Sequence, residues 1–133
     1  MKINEPQTTE FFVENSIRKY LTENRWRVLP RAHHGADIKA YNKNGEYWII
    51  ECKGETKGEN SNLDFCTSLG QILLRMDKDI RDWRHYGIAV PNTRHFKRQF
   101  NKFLKTPKQI RKALKIYFFF VDTEGNIEKI KPY

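Results

Sequence analysis

Residues 35–55 read GADIKAYNKNGEYWIIECKGE, and the topology of the chain turns on how the two runs inside this stretch pair. "DIKAY" and "EYWIIECK" are apolar enough to be strands, and "NKNG" between them supplies turn residues. Strand side chains alternate faces, so Tyr47, Ile49, Glu51 and Lys53 share one side and Trp48, Ile50 and Cys52 the other. A three-residue loop Lys43-Asn44-Gly45 pairs Asn42 with Glu46 and sets Asp37 opposite Glu51. A two-residue loop sets Asp37 opposite Cys52, on the other face. The longer loop is favoured, because its third residue adopts a left-handed conformation and Gly45 stands there.

On the N-terminal side, Val13, Ile17, Tyr20 and Leu21 recur at helical spacing and predict a helix from about Thr9 to Asn24. "WRVLPRA" after it reads as a first strand of the meander. The polar, glycine-bearing residues 54–62 read as a loop, and "LDFCTSLGQILLRMDKDI" as a helix. "YGIAVP" reads as a buried strand, and Arg94 to Leu114 as a basic amphipathic helical segment interrupted at Thr106-Pro107. "KIYFFFVDTEGNIEKIK" reads as a strand, a turn and a short edge strand. The order α-β-β-β-α-β-α-β makes an α/β fold with a central mixed β-sheet flanked by helices, since the helix-linked strands need crossovers and the meander does not. No linker or repeat divides residues 1–133, so one domain is expected.

Aromatic residues make up 14% of the chain, too many for a disordered one. The longest apolar runs fall far short of the roughly 20 residues that cross a bilayer, and no signal-peptide core is visible. A cytoplasmic protein without membrane association is expected. Cys52 and Cys66 lack metal-finger spacing and are expected to be reduced and mostly buried. The net charge of +9 is unevenly placed: residues 1–82 carry 13 basic and 13 acidic side chains, and residues 83–121 carry ten basic ones and no acid. Such a block fits a polyanion, because each phosphate it neutralises releases counterions. Its candidates for backbone contacts are Arg94, Lys97, Arg98, Lys102 and Lys105, which would position nucleic acid without reading it. Phe96, Phe100, Phe103 and Phe118 to Phe120 have the spacing of core residues rather than of base-stacking ones.

Directly opposed strand residues have Cβ atoms about 5 Å apart, so Asp37 and Glu51 can grip one cation. Two carboxylates that close resist ionising together unless positive charge lies between them. Mg²⁺ takes carboxylate oxygens at about 2.1 Å and keeps waters, leaving places for a phosphate oxygen and an attacking water. Lys53 would orient that water and offset charge in the transition state. A lone Glu-x-Lys is ordinarily a surface ion pair; an aspartate in register, an apolar lead-in and a basic block elsewhere turn the argument toward chemistry.

"GADI", followed by "ECK" fourteen positions after its aspartate, resembles the signature of the PD-(D/E)XK nuclease superfamily, which includes restriction endonucleases and archaeal Holliday-junction resolvases. Glu14 resembles the helix-1 glutamate that many members add to the metal site. Gln71 resembles a glutamine found on the helix after the lysine strand, where a tyrosine often follows four residues later and this chain has Arg75. Ala36 stands where the name-giving motif has proline.

The resemblance covers about residues 9 to 121 and implies a restriction endonuclease-like fold. It further implies metal ligation by Asp37, Glu51 and Glu14, catalytic roles for those three with Lys53 and Gln71, and Mg²⁺ or Mn²⁺ as cofactor. DNA is the expected substrate, cut by a structure-selective or partner-directed enzyme. Cutting both strands would need a homodimer. Arg75 either meets a phosphate or pairs with Asp79, its i+4 neighbour. His33 and His34 could approach a metal-bound water, although loop histidines without a defined partner are usually solvated. The alternatives are an inactive nucleic-acid-binding module of the same fold and an RNA-directed nuclease.

Overall fold

The computed structural model describes residues 8–31, 35–55, 61–76 and 84–133. Helix α1 (Glu10–Glu23) starts at Thr9, whose hydroxyl accepts from the Phe12 N–H at 3.1 Å and satisfies a donor that the first turn leaves unpaired. Val13, Ile17 and Leu21 line its buried stripe. Strand β1 (Arg27–Val28) is shorter than "WRVLPRA" suggests. The Leu29 N–H still bonds the Lys39 carbonyl at 2.9 Å, but Pro30 has no N–H to continue the ladder.

Strands β2 (Ile38–Tyr41) and β3 (Tyr47–Cys52) form the central hairpin. Gly45 has φ +80, and Asn42 Oδ1 accepts from the N–H groups of Asn44 and Glu46 at 3.0 Å each, which fixes the three-residue loop. The observed pairs Ile38 with Ile50 and Tyr41 with Tyr47 are those of the longer-loop register.

Helix α2 (Ser61–Arg75) crosses to β4 (Arg84–Pro91), which runs parallel to β3. Helices α3 (Arg94–Phe103) and α4 (Lys108–Leu114), split at Thr106-Pro107, lead to β5 (Ile116–Val121), parallel to β4. Strand β6 (Ile127–Ile130) closes the edge antiparallel to β5. The result is a mixed, open six-stranded sheet in the order β1-β2-β3-β4-β5-β6 with four helices, an α/β arrangement consistent with a restriction endonuclease-like fold. It keeps the order expected from sequence and splits the third helical segment in two.

One core packs α1 on Ile38, Trp48, Ile50, Cys52, Ala89 and Phe119. The other packs Phe65, Ile72, Phe96, Phe100 and Phe103 of α2 and α3 on Ile49, Ile88, Phe118 and Phe120. The phenylalanines are therefore core, as their spacing indicates. Cys52 is buried, whereas Cys66 is exposed on α2, contrary to the expectation that both are mostly buried. Among the described residues no helix is long and apolar enough to cross a membrane. Because β3, β4 and β5 run parallel and β2 antiparallel to β3, the start of β2 and the carboxyl ends of β3, β4 and β5 share one edge of the sheet, where open α/β sheets place their sites.

Candidate active site

At that edge, Asp37 immediately precedes β2 and Glu51 is the penultimate residue of β3. Continuing the register by one step brings the two face to face. The Cys52 N–H donates to Asp37 Oδ2 at 2.8 Å, so the side chain takes the place of a ladder acceptor and cannot swing away from β3. Glu51 is 2% exposed. Burial pushes its carboxyl above the usual carboxylate range, Arg75 pulls it back, and Asp37 raises it again by charge and by side-chain contact. Cys52 lies behind the pair; burial first, and the carboxylates of Asp37, Glu14, Glu51 and Glu10 after it, hold its thiol well above its ordinary value.

Lys53 follows β3 and is half-buried, its N–H bonded to the Ala89 carbonyl at 2.9 Å. Beyond it the chain runs under the start of α1. A Cβ on Gly54 would stand 2.0 Å from the Glu10 nitrogen, so only glycine permits this approach. The contact is tied by the Glu55 N–H to the Thr8 carbonyl at 2.8 Å and by the Thr8 N–H to Glu55 Oε2 at 3.0 Å. It brings Glu10 to the site, which the sequence did not mark. Partial burial and then Asp37 raise the Glu10 carboxyl, while Lys53 and Arg31 pull it down. The only sequence signal for Glu10 is its place one turn before Glu14.

Glu14 is 4% exposed and sits in a cationic clamp. Arg18 Nε donates to Glu14 Oε2 at 3.2 Å, while its terminal nitrogens donate to the carbonyls of Leu29 at 2.8 Å and Asp37 at 3.0 Å. Arg31 Nε lies 3.6 Å from Glu14 Oε1, an oxygen that is buried and makes no hydrogen bond. Glu14 thus reaches the backbone of Asp37 through Arg18. Among the described residues no three His, Cys, Asp or Glu side chains converge to hold a metal ion.

Arg75 Nε donates to Glu51 Oε1 at 2.9 Å. Of the two contacts considered from sequence, a phosphate or Asp79, neither is this one; Asp79 lies outside the described residues, as do His33 and His34. Gln71 is half-buried on α2, one turn before Arg75, with no hydrogen bond to the carboxylate pair. In the basic segment Arg94, Arg98, Lys102 and Lys105 are exposed. Arg94 and Arg98 lie in the half of α3 next to the site's edge of the sheet. Lys97 is engaged within the fold: its ammonium lies 3.1 Å from Glu128 Oε1 and 4.0 Å from the centre of the Phe120 ring.

Comparison with solved structures finds this fold elsewhere. The chain is similar to an XisH family protein from Nostoc punctiforme, with 19% identity, a TM-score of 0.52 and coverage of 90% of this chain and 98% of that one. It is also similar to an fdxN element excision controlling factor protein from Anabaena variabilis, with 18% identity, a TM-score of 0.53 and coverage of 87% and 95%. No protein-family model and no curated protein sequence matches the chain.

Proposed function

We propose that the chain is a divalent-metal-dependent nuclease that hydrolyses DNA phosphodiester bonds. The observation that carries this reading is the carboxylate pair: Asp37, pinned to the Cys52 N–H, faces a buried Glu51 whose ionisation burial and Asp37 both oppose. Arg75 gives Glu51 one counter-charge, and the donor chemistry of the two facing carboxylates fits a hard cation. Two carboxylates plus water and a substrate phosphate make an ordinary Mg²⁺ donor set, so a full protein cage is unnecessary. Bound Mg²⁺ or Mn²⁺ would polarise a phosphoryl oxygen and acidify a water.

The chain's own residues do the rest. Asp37 and Glu51 would hold the cation at the edge of the sheet where a phosphate can approach it. Lys53, two residues on, its ammonium held by no hydrogen bond or ion pair among the described residues, would orient the attacking water and neutralise charge growing on the phosphate oxygens. Glu14 acts as a positioning residue, its carboxylate holding Arg18 against the carbonyl of Asp37. Gln71 supports the site from α2, and Arg94, Arg98, Lys102 and Lys105 contact the DNA backbone. The excision-controlling role given to one fold neighbour supports DNA rather than RNA as substrate.

The test is cleavage of supercoiled plasmid and branched DNA by wild type, Asp37→Asn and Glu51→Gln in Mg²⁺, Mn²⁺ and EDTA. Asparagine keeps an acceptor for the Cys52 N–H, so the loss of cleavage expected in that variant reports charge and not unfolding. Full cleavage by either variant overturns the assignment. One observation favours a second reading, a DNA-binding module without chemistry: the Arg75 guanidinium already gives Glu51 a counter-charge at 2.9 Å. That reading predicts salt-sensitive DNA affinity indifferent to divalent ions.

A further inference from the structure

Beside the carboxylate pair, on the sheet face that carries α2, the structure has an open cleft of about 280 Å³. Its walls include Gly35 and Ala36 before β2, Lys39 on β2, Tyr47 on β3, Arg75 at the end of α2 and Arg84 at the start of β4. Three of these side chains are cations and none of the lining residues is acidic. The Lys39 ammonium lies beside the residue two places before Asp37: a Cβ on Gly35 would be 3.5 Å from it. Among the described residues no acid or carbonyl holds that ammonium. Arg84 is paired in register with Tyr47 and pulls its phenol's acidity against the effect of burial, so the two stand together at the far end of the cleft. Arg75 stands between, bonded to Glu51 at 2.9 Å.

We propose that this cleft is a phosphate subsite for the DNA strand entering the carboxylate pair, with Lys39 contacting the backbone nearest the cut and Arg84 the backbone farther along. The inference rests on the DNA-directed reading of the site. Its scale agrees. From Glu51 to Tyr47 along β3 is roughly 13 Å, four residues of extended chain, or about four steps of stacked nucleic acid at 3.4 Å each. The cleft is also slightly smaller than the roughly 300–1,000 Å³ typical of small-molecule pockets. Its walls are cationic and not predominantly aromatic, which suits a threaded backbone better than an enclosed ligand. Arg75 ties the subsite to the chemistry, because a guanidinium engaging a phosphate in the cleft shares its charge with Glu51 and loosens its hold there.

The experiment is a fluorescence-anisotropy titration of labelled duplex DNA in EDTA across a range of salt, so that cleavage plays no part. The proteins compared are wild type, Lys39→Gln, Lys39→Arg and Lys43→Gln. Lys43→Gln removes the same charge at the exposed hairpin tip, at the opposite edge of the sheet from Asp37. Lys39→Gln should weaken binding several-fold and lower the salt slope by about one counterion relative to Lys43→Gln, and Lys39→Arg should restore both. Thermal melting of each variant verifies the fold. If Lys39→Gln binds with the affinity and slope of Lys43→Gln, the subsite is refuted; a wild type that binds no DNA also refutes it. A protein that shows the Lys39 effect but never cleaves keeps the subsite and loses the nuclease reading. One that cleaves while Lys39→Gln behaves like Lys43→Gln does the reverse.

Discussion

Replacing Gly54 with alanine tests how the site is assembled. The added Cβ would meet only backbone: the Glu10 nitrogen at 2.0 Å, the Thr9 carbonyl carbon at 2.4 Å and the Glu10 Cα at 2.8 Å. Ordinary contacts of this kind begin at 3.4 Å, so the two segments must part by well over an ångström. Neither yields easily. The Lys53 N–H is bonded to Ala89 in the sheet, and α1 is anchored by Val13 and Ile17, both fully buried. Parting them also breaks the paired bonds between Thr8 and Glu55. Overpacking of this severity costs about 3 kcal/mol, at the upper end of measured overpacking, which for a chain of this size lowers Tm by roughly 10 °C. The assay is urea and thermal unfolding followed by circular dichroism, with Gly70→Ala as the internal comparison. Gly70 lies within α2, where an added Cβ would meet nothing within 4 Å, so the same substitution there should stabilise by up to ~1 kcal/mol. A Gly54→Ala protein within about 0.5 kcal/mol of wild type would refute the close docking of α1 on residues 53–55, and with it the placement of Glu10 and Glu14 beside Asp37.

Lys53→Met, which keeps the aliphatic stem, should fold and bind divalent ions as wild type does while lowering the single-turnover cleavage rate by roughly 10²- to 10³-fold; an unchanged rate removes lysine from the mechanism. Arg18→Ala strips three charge-assisted bonds and leaves the buried Glu14 carboxylate without its closest cation, so urea unfolding should show a loss of about 3 kcal/mol. Arg18→Lys should rescue this only in part, because an ammonium cannot span three acceptors. Glu46 has its carboxyl held below the ordinary value first by the hydrogen bond to His85, at 2.9 Å, and then by Asn42. A lowered carboxylate stabilises the fold above its unfolded value and loses that contribution as pH falls through the folded one. The stability gap between wild type and Glu46→Gln should therefore be present at neutral pH, stay under about 1 kcal/mol because the pair is solvated, and vanish in acid.

The hairpin was legible because its determinants are local. Gly45 at the third loop position selects the loop length, loop length selects register, and register carries Asp37 to Glu51. Helix α1 was legible through its apolar stripe and Thr9, and the buried phenylalanines through their spacing. What escaped the sequence depends on how elements meet. The bond from Arg75 to Glu51 needs α2 to lie across β3 at one angle and end at one place, which no spacing encodes. Arg18 stands at i+4 from Glu14, a visible pairing, yet its grip on the carbonyls of Leu29 and Asp37 exists only once α1 packs on the hairpin. Glu10 enters the site because Gly54 lets two backbones touch, and a single glycine in a loop does not announce a contact 44 residues back. Lys97 reads as one more cation of a basic helix until β6 sets Glu128 beside it.

Whether Asp37 and Glu51 together hold a divalent cation is decided by calorimetric titration of Mg²⁺ and Mn²⁺ into wild type and Asp37→Asn. Saturable binding to wild type that Asp37→Asn abolishes, with both proteins equally folded, is the expected result. Equal binding by the two proteins, or none by either with DNA present, would refute the metal site and leave Glu51 as the internal partner of Arg75.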